Sequence, residues 1–398
     1  MAPLRITAST AVSALGVGTA AHLDALRARR GGLRPNDFEA GTGGWIGRVE
    51  GVEAHSLPPA LAAFDCRNNR LADMALHADG FLGAALAARE QYSADRIAVV
   101  LGTSTSGVQA GEDAYRARDP ATGALPAAFD HGGTQDMFSL ARFVRVALGL
   151  RGPALVVSTA CASSARTFAD AAHLIAAGVC DAAIVGGADS LCRMTLQGFA
   201  SLELISPGPC RPCDAARAGI SIGEAAGFAL LERGGAPRRE AGPPMQLLGW
   251  GATSDAHHMS APHPQGTGAI GAMRAALRRA GMVPGEVDWI NLHGTGTRAN
   301  DAMEDLAVAE VFGDAVPCSS TKGWTGHMLG ACGIVEAVIA GQCMAEDFVA
   351  GCLGVEAPDP AFRSQVATAN VERPVRRVIS NSFGFGGVNC SLVLGIEQ

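Results

Sequence analysis

The sequence predicts an α/β fold, and three observations carry that reading. Short β-branched runs alternate with Ala-rich helical stretches along the 398 residues, which is the pattern of strand and helix in turn. The helical stretches stop at glycines, where a left-handed cap is expected. A composition of 48% hydrophobic and 17% charged residues can bury a large core and excludes a disordered chain. In order, strands are expected at 97–101, 154–157, 182–185, 228–231, 287–292, 378–379 and 391–394. Helices are expected at about 167–177, 270–280 and 301–312, closing at Gly178, Gly281 and Gly313. Asn300 or Asp301 can cap the third at its start. The stretch ERGGAPRREAGPPM, 232–245, is the most loop-like and suggests a boundary between two halves, 1–240 and 241–398. Residues 156–178 and 318–341 each run from a small-residue Ser-Thr turn into a helix that ends in a similar Ile-Ala-Gly pattern. That hints at duplication, although Ala-rich helices resemble one another too readily for this alone to establish a repeat.

A formal net charge of -7 with no basic run argues against nucleic acid as a partner. The 11 cysteines are odd in number and scattered, often in apolar stretches (Cys180, Cys192, Cys332, Cys390), which is reduced-thiol usage and not a disulfide frame. The N-terminus MAPLRITAST lacks the charged start and apolar run of a signal peptide, and no segment reaches the roughly 18 apolar residues of a membrane span. A cytoplasmic location without a membrane partner is expected. Of the 31 basic residues a single one is lysine, Lys322. Either this lysine survives by chance, or one site calls for a compact ammonium where arginine serves elsewhere, and its neighbours favour the second.

Four segments carry the chemistry. Cys161 follows ALVVSTA and lies in a turn of small residues leading into a helix. A thiol there faces the positive helix end, which favours the thiolate, and free N–H groups are at hand for a developing oxyanion. A buried structural cysteine is the plain alternative, as for the others. His293 opens HGTGT, where glycines let a ligand approach the backbone and Thr295 and Thr297 offer hydroxyls; His327 lies in KGWTGHMLGACG, five residues after Lys322. Either histidine alone reads equally as a cap or a packed core residue. Glu336, in the apolar GACGIVEAVIAG, is too costly to bury unpaired and is expected to pair with Lys322. The segment NSFGFGGVN, 381–389, reads as a mobile turn and not a core strand; its N–H groups could complete an oxyanion hole while Phe383 and Phe385 close over an acyl pocket. Zinc is not expected: Cys210 and Cys213 form the one CxxC, and His257, His258 and His263 have no second pair at finger spacing. Neither GxGxxG nor a Walker motif supports a nucleotide cofactor.

STACASSA, NLHGTGT, KGWTGHMLGACG, GEAAGFALLE and NSFGFGGVN, five ordered motifs spanning essentially the whole chain, closely resemble the β-ketoacyl-acyl-carrier-protein synthases of the elongating (KAS I/II) type. The resemblance implies the thiolase fold, two similar halves in five α-β-α-β-α layers, usually as a homodimer. It also implies a decarboxylative condensation with no cofactor beyond the phosphopantetheine arm of acyl carrier protein. Cys161 would carry the acyl group, His293 and His327 would hold the malonyl thioester carbonyl, and the N–H groups of Cys161 and Phe385 the oxyanion. Lys322 and Glu336 would order the site, Asp301 would stand near the HGTGT loop, Thr295 and Thr297 would hold the pantetheine arm, and Arg67 and Arg70 would face the acidic carrier.

The resemblance has gaps. The family usually shows RPFDxxRDGFVxGEGAG where this chain has RPCDAARAGISIGEAAG, so that Cys213, Ala218, Ile220, Ser221 and Ala225 are departures, with Trp324 another. Two lost phenyl rings and an added indole are expected to reshape the acyl pocket. A condensing enzyme of a polyene or polyketide pathway, paired with a chain-length-factor-like subunit, is therefore the second reading. A non-catalytic chain-length subunit is disfavoured by Cys161, and a degradative thiolase by the His-His pattern.

Overall fold

A computed structural model describes residues 2–39, 41–237, 239 and 241–396. The boundary residue Glu240, between the two expected halves, lies outside the described residues. Ten strands build the frame: β1 (Leu4–Ser13), β2 (Ile97–Gly102), β3 (Ala154–Val157), β4 (Ala182–Asp189), β5 (Ala225–Glu232), β6 (Met245–Ser254), β7 (Trp289–Asn291), β8 (Pro317–Ser319), β9 (Arg377–Gly384) and β10 (Val388–Gly395). The first five pair in the order β3-β2-β4-β5-β1 and the last five in the order β8-β7-β9-β10-β6. In each set the outer two pairings are parallel and the inner two antiparallel. Strand for strand, β6, β10, β9, β7 and β8 repeat β1, β5, β4, β2 and β3. The duplication hinted at by two short segments is thus written in the topology. β1 and β6 join the sets antiparallel, Leu4 opposite Leu247.

The layers follow from the alternation of side chains along a strand. Ile97, Val99 and Leu101 of β2 face an outer core with helices α1 (Arg67–Leu76), α2 (Phe81–Tyr92) and α3 (Ser139–Ala147), while Ala98 and Val100 face an inner one. In β10, Leu392 and Leu394 point to the same inner core and Val393 to a second outer core. Between the sheets run α4 (Ser163–Ala176) and α7 (Cys332–Ala345); outside the second sheet lie α5 (Thr267–Ala280) and α6 (Arg298–Phe312). Outer helices, sheet, α4 with α7, sheet, outer helices make the five layers. α7 is buried from Cys332 through Met344, as a helix apolar all round must be. Gly333 lets it approach α4, because a Cβ there would stand 2.5 Å from the Ala165 nitrogen. Among the described residues no helix is long and apolar enough to cross a membrane.

Two local readings change. α6 begins at Arg298, capped by the Thr297 hydroxyl, which accepts the Asn300 N–H; neither Asn300 nor Asp301 is the cap. Residues 381–384 of NSFGFGGVN belong to β9, and only Phe385–Gly387 form the turn to β10. The hairpin partner β10 supplies the ladder bonds that make Asn381 and Ser382 strand residues.

Candidate functional site

The site lies where the helices following β3 and β8 meet. The chain leaves β3 through Ala160, held at a left-handed φ of +48°, which costs roughly 1 kcal/mol for a residue with a Cβ. Ser163 braces that turn: its hydroxyl donates to the Ala160 carbonyl (2.6 Å) and accepts the Thr159 N–H (3.0 Å). The kink sets Cys161 two residues before α4. A Cβ at Gly384 would lie 2.9 Å from the Thr159 oxygen and 3.2 Å from the Cys161 nitrogen, so glycine allows the β9–β10 turn to close on the thiol. The N–H groups of Phe385 and of Cys161 itself both reach the sulfur.

His293 leaves the end of β7 on a loop whose His293 and Gly294 N–H groups donate to Glu304 of α6 (2.8 and 2.7 Å). His327 is tied to the residues before β5, donating its N–H to the Ser221 carbonyl at 2.7 Å and accepting the Gly223 N–H at 2.8 Å. Its ring Nδ1 accepts the Leu329 N–H at 3.1 Å, so the proton sits on Nε2. The two imidazoles stand edge to face, centroids 5.3 Å apart. The Cys161 sulfur and one nitrogen from each histidine lie within 4.8 Å of one another, and all three residues line one cavity of about 650 Å³. For that trio to hold a metal, the His327 proton would have to move to Nδ1, against the Leu329 N–H.

Electrostatics favour neutral histidines. Burial, and then the Lys322 charge, lower both imidazoles well below their ordinary value. Lys322 donates to Glu336 at 2.6 Å with both side chains fully buried; burial works against the ammonium, but Glu336 raises its pKa and keeps it charged. Cys161 differs from the helix-mouth expectation. Burial pushes its thiol up to about 12, outweighing Lys322 and the Phe385 N–H, which pull the other way. The thiol is the resting form.

Thr295 and Thr297 line the cavity, their hydroxyls 2.9 Å apart. Phe383 and Phe385 line it too, Phe385 against Phe199 (5.6 Å between centroids). Ala218 and Ile220 face it beside Leu202 and Leu204. Several expected residues have other surroundings than the sequence suggested. Asp301 stands by the HGTGT loop, as expected, but behind it and off the cavity lining: its buried carboxylate gathers the N–H groups of Thr295, Gly296 and Cys213. Arg67 is buried on Glu224 (2.6 Å) and Glu53 (2.5 Å) and is no free cation for a carrier, whereas Arg70 pairs with Asp65 at 2.6 Å at the surface, both side chains partly exposed. Trp324 packs in the inner core, its Nε1–H on the Gly351 carbonyl at 3.1 Å, and Cys213 is buried in the second outer core; neither lines the cavity. Cys390 faces the inner core. Cys210 donates its thiol to the Lys322 carbonyl at 3.0 Å.

Sequence reasoning missed three buried carboxylates. Glu304 holds the His293 turn, and burial pushes it up to about 7. Asp189 at the end of β4 binds the N–H groups of Ser104 and Thr105 (both 2.8 Å) and that of Gly330 (2.5 Å), tying the β2 loop to the His327 turn. Glu224 anchors Arg67 and the Val49 and Leu191 N–H groups. The i,i+3 spacing of Asp301 and Glu304 directly after the HGTGT loop was the one available signal. Arg67→Ala is expected to lower stability by about 3 kcal/mol, by stranding Glu224, and to leave the KM for carrier protein unchanged; thermal unfolding and steady-state kinetics on the same variant check both.

Models of the β-ketoacyl synthase N-terminal and C-terminal domains match residues 69–235 and 245–356. The chain is 39% identical over 258 residues to 3-oxoacyl-[acyl-carrier-protein] synthase 2 of Rhizobium meliloti (strain 1021), covering 62% of this chain and 61% of that protein. It is 34% identical over 404 residues to nodulation protein E of the same strain, covering 99% and 98%. Among solved structures, a ketosynthase (ApeO) in complex with its chain length factor (ApeC) from Xenorhabdus doucetiae superposes with a TM-score of 0.89 at 37% identity, over 100% of this chain and 98% of that one. The alignments with the first 3-oxoacyl-[acyl-carrier-protein] synthases span only 58% and 61% of their length.

Proposed function

Since the chain belongs to the β-ketoacyl synthase family and has the thiolase fold, we propose that it condenses an acyl group held on Cys161 with malonyl-acyl carrier protein, releasing CO2 and 3-oxoacyl-acyl carrier protein, in fatty acid elongation. The observation that carries this reading is the convergence of Cys161, His293 and His327 within 4.8 Å in one cavity. Residues 1–240 form the half that bears the nucleophile and 241–398 the half that bears the histidines.

The steps balance without a redox cofactor. Cys161 sulfur attacks the acyl thioester, and its proton leaves on the departing pantetheine thiol. The oxyanion of the tetrahedral intermediate takes the N–H groups of Cys161 and Phe385, which are already aimed at the sulfur. Malonyl carrier protein follows, its arm against Thr295 and Thr297. Loss of CO2 leaves an enolate whose oxygen accepts from His293 and the His327 Nε2–H. Neutral donors serve best here, since they stabilise charge that is absent in the ground state. The enolate carbon then attacks the Cys161 thioester, and the sulfur leaves as a thiolate that takes up the one proton the overall reaction draws from solvent. Burial, reinforced by Lys322, keeps both imidazoles neutral, and the ammonium offsets the cost of the passing thiolate. The carrier protein is the partner. A homodimer is the expected assembly and the cytoplasm the expected compartment, in keeping with 11 free thiols.

One observation favours the second reading, a specialised polyene or polyketide condensing enzyme paired with a chain-length-factor-like subunit. The full-length similarity to a ketosynthase solved with such a partner comes with Ala218 and Ile220 in the cavity wall, where the family pattern has Asp and Phe. A panel of saturated, polyenoyl and aryl-primed acyl carriers, read by product mass, separates the two. Saturated chains lead if the enzyme elongates fatty acids; conjugated chains lead, with activity needing a second subunit, if it does not. Release of no CO2 from malonyl carrier protein would overturn both.

A further inference from the structure

The turn after His327 brings a second thiol to the catalytic ring. Leu329, at a left-handed φ of +51°, folds the chain back so that its N–H and the side chain of Cys332, the first residue of α7, meet the same atom. The Cys332 sulfur lies 3.3 Å from His327 Nδ1 and the Leu329 nitrogen 3.1 Å. Cys332 is fully buried, out of reach of the cavity that Cys161 lines. Resting on the condensing-enzyme reading, we infer that Cys332 is a positioning residue that donates its S–H to His327 Nδ1 and holds the ring as the Nε2–H tautomer facing the substrate.

The direction of the bond follows from the backbone. Nδ1 accepts the Leu329 N–H and so has no proton to give, which leaves the thiol as donor in their contact, sharing the in-plane lone pair with that N–H. Burial raises the thiol well above its ordinary value, with Glu336 and Cys161 adding to the effect and Lys322 opposing it; the proton needed for donation is therefore present. Two donors on Nδ1 disfavour a proton there and leave Nε2 as the donor toward the cavity. The charged or titratable groups around the ring are His293, Cys161, Lys322 and, across the Gly330 N–H, Asp189. None of them contacts Nδ1, so the tautomer is held by Leu329 and Cys332.

The test uses Cys332→Ala, the apolar near-isostere Cys332→Val, and Cys332→Ser, which keeps a donor. Decarboxylation of malonyl carrier protein is measured in the Cys161→Ala background, and imidazole ¹⁵N spectra on otherwise wild-type protein. A weak neutral hydrogen bond predicts a roughly three- to tenfold fall in kcat for Ala and Val with KM unchanged, recovery in Ser, and His327 resonances moved toward tautomer averaging in Ala and Val only. A kcat in Ala and Val equal to that of the parent, or unmoved His327 resonances, overturns the inference. If the parent fails to decarboxylate, the condensing-enzyme reading falls, and the ¹⁵N spectra still decide the role of Cys332.

Discussion

Cys161→Ala loses condensation by at least about a thousandfold while keeping malonyl decarboxylation within about tenfold. The split follows from the division of labour in the cavity. The sulfur forms the acyl thioester, and nothing else replaces it: every other cysteine among the described residues is buried away from the cavity lining. The enolate, in contrast, is held by His293 and His327, whose rings do not depend on the sulfur for their place. Glu304 holds the turn of the first, and Ser221, Gly223 and Leu329 hold the second. His293→Ala and His327→Ala therefore lose decarboxylation as well, by about a hundred- to a thousandfold each, the usual loss for one donor to a developing oxyanion. Release of ¹⁴CO2 and formation of the 3-oxoacyl product, followed in parallel, separate the two classes.

Lys322→Met produces the second large effect, on stability and chemistry together. It leaves Glu336 buried with no cation, and its other oxygen already lacks a partner; breaking such a pair costs about 3–5 kcal/mol. It also removes the charge that favours ionised Cys161 and lowers both imidazoles. The signs are opposite for the two kinds of group: without Lys322 the thiol pKa rises further, so acylation at neutral pH slows, and the histidine pKa values rise toward the ordinary value, so the acid limb of decarboxylation moves to higher pH. The double variant Lys322→Met/Glu336→Leu distinguishes structure from chemistry. Removing both charges restores most of the stability, whereas acyl transfer stays slow and the acid limb stays shifted. Recovery of both together would reduce Lys322 to a structural role.

The chemistry was legible because its residues sit in short local patterns. Cys161 in a small-residue turn, His293 before glycines and the sole lysine near His327 need no knowledge of distant chain. The short β-branched runs in β2, β4, β9 and β10 marked strands for the same reason. β1 and β6, which join the halves, escaped: β1 reads LRITASTAVS, with Thr7, Thr10 and Ser13 bonded inside the fold where the pattern would put solvent. Arg67 misled because its partner Glu224 is 157 residues away, and a cation looks free until its carboxylate is found. Trp324 misled likewise, being close to Lys322 in sequence yet turned into the inner core. The Cys161 thiol was read from the helix end alone. Burial, which decides its resting state, is a property of five packed layers and not of any one segment.

The central claim is that Cys161, and no other thiol, receives the acyl group beside two neutral imidazoles. Peptide mapping by mass spectrometry after incubation with acyl-carrier protein tests it most directly. The acyl mass is expected on the peptide holding Cys161 alone, discharged on adding malonyl carrier protein, and retained there in His327→Ala. An unmodified Cys161 peptide, with the acyl mass on Cys332, Cys390 or another cysteine, would contradict it.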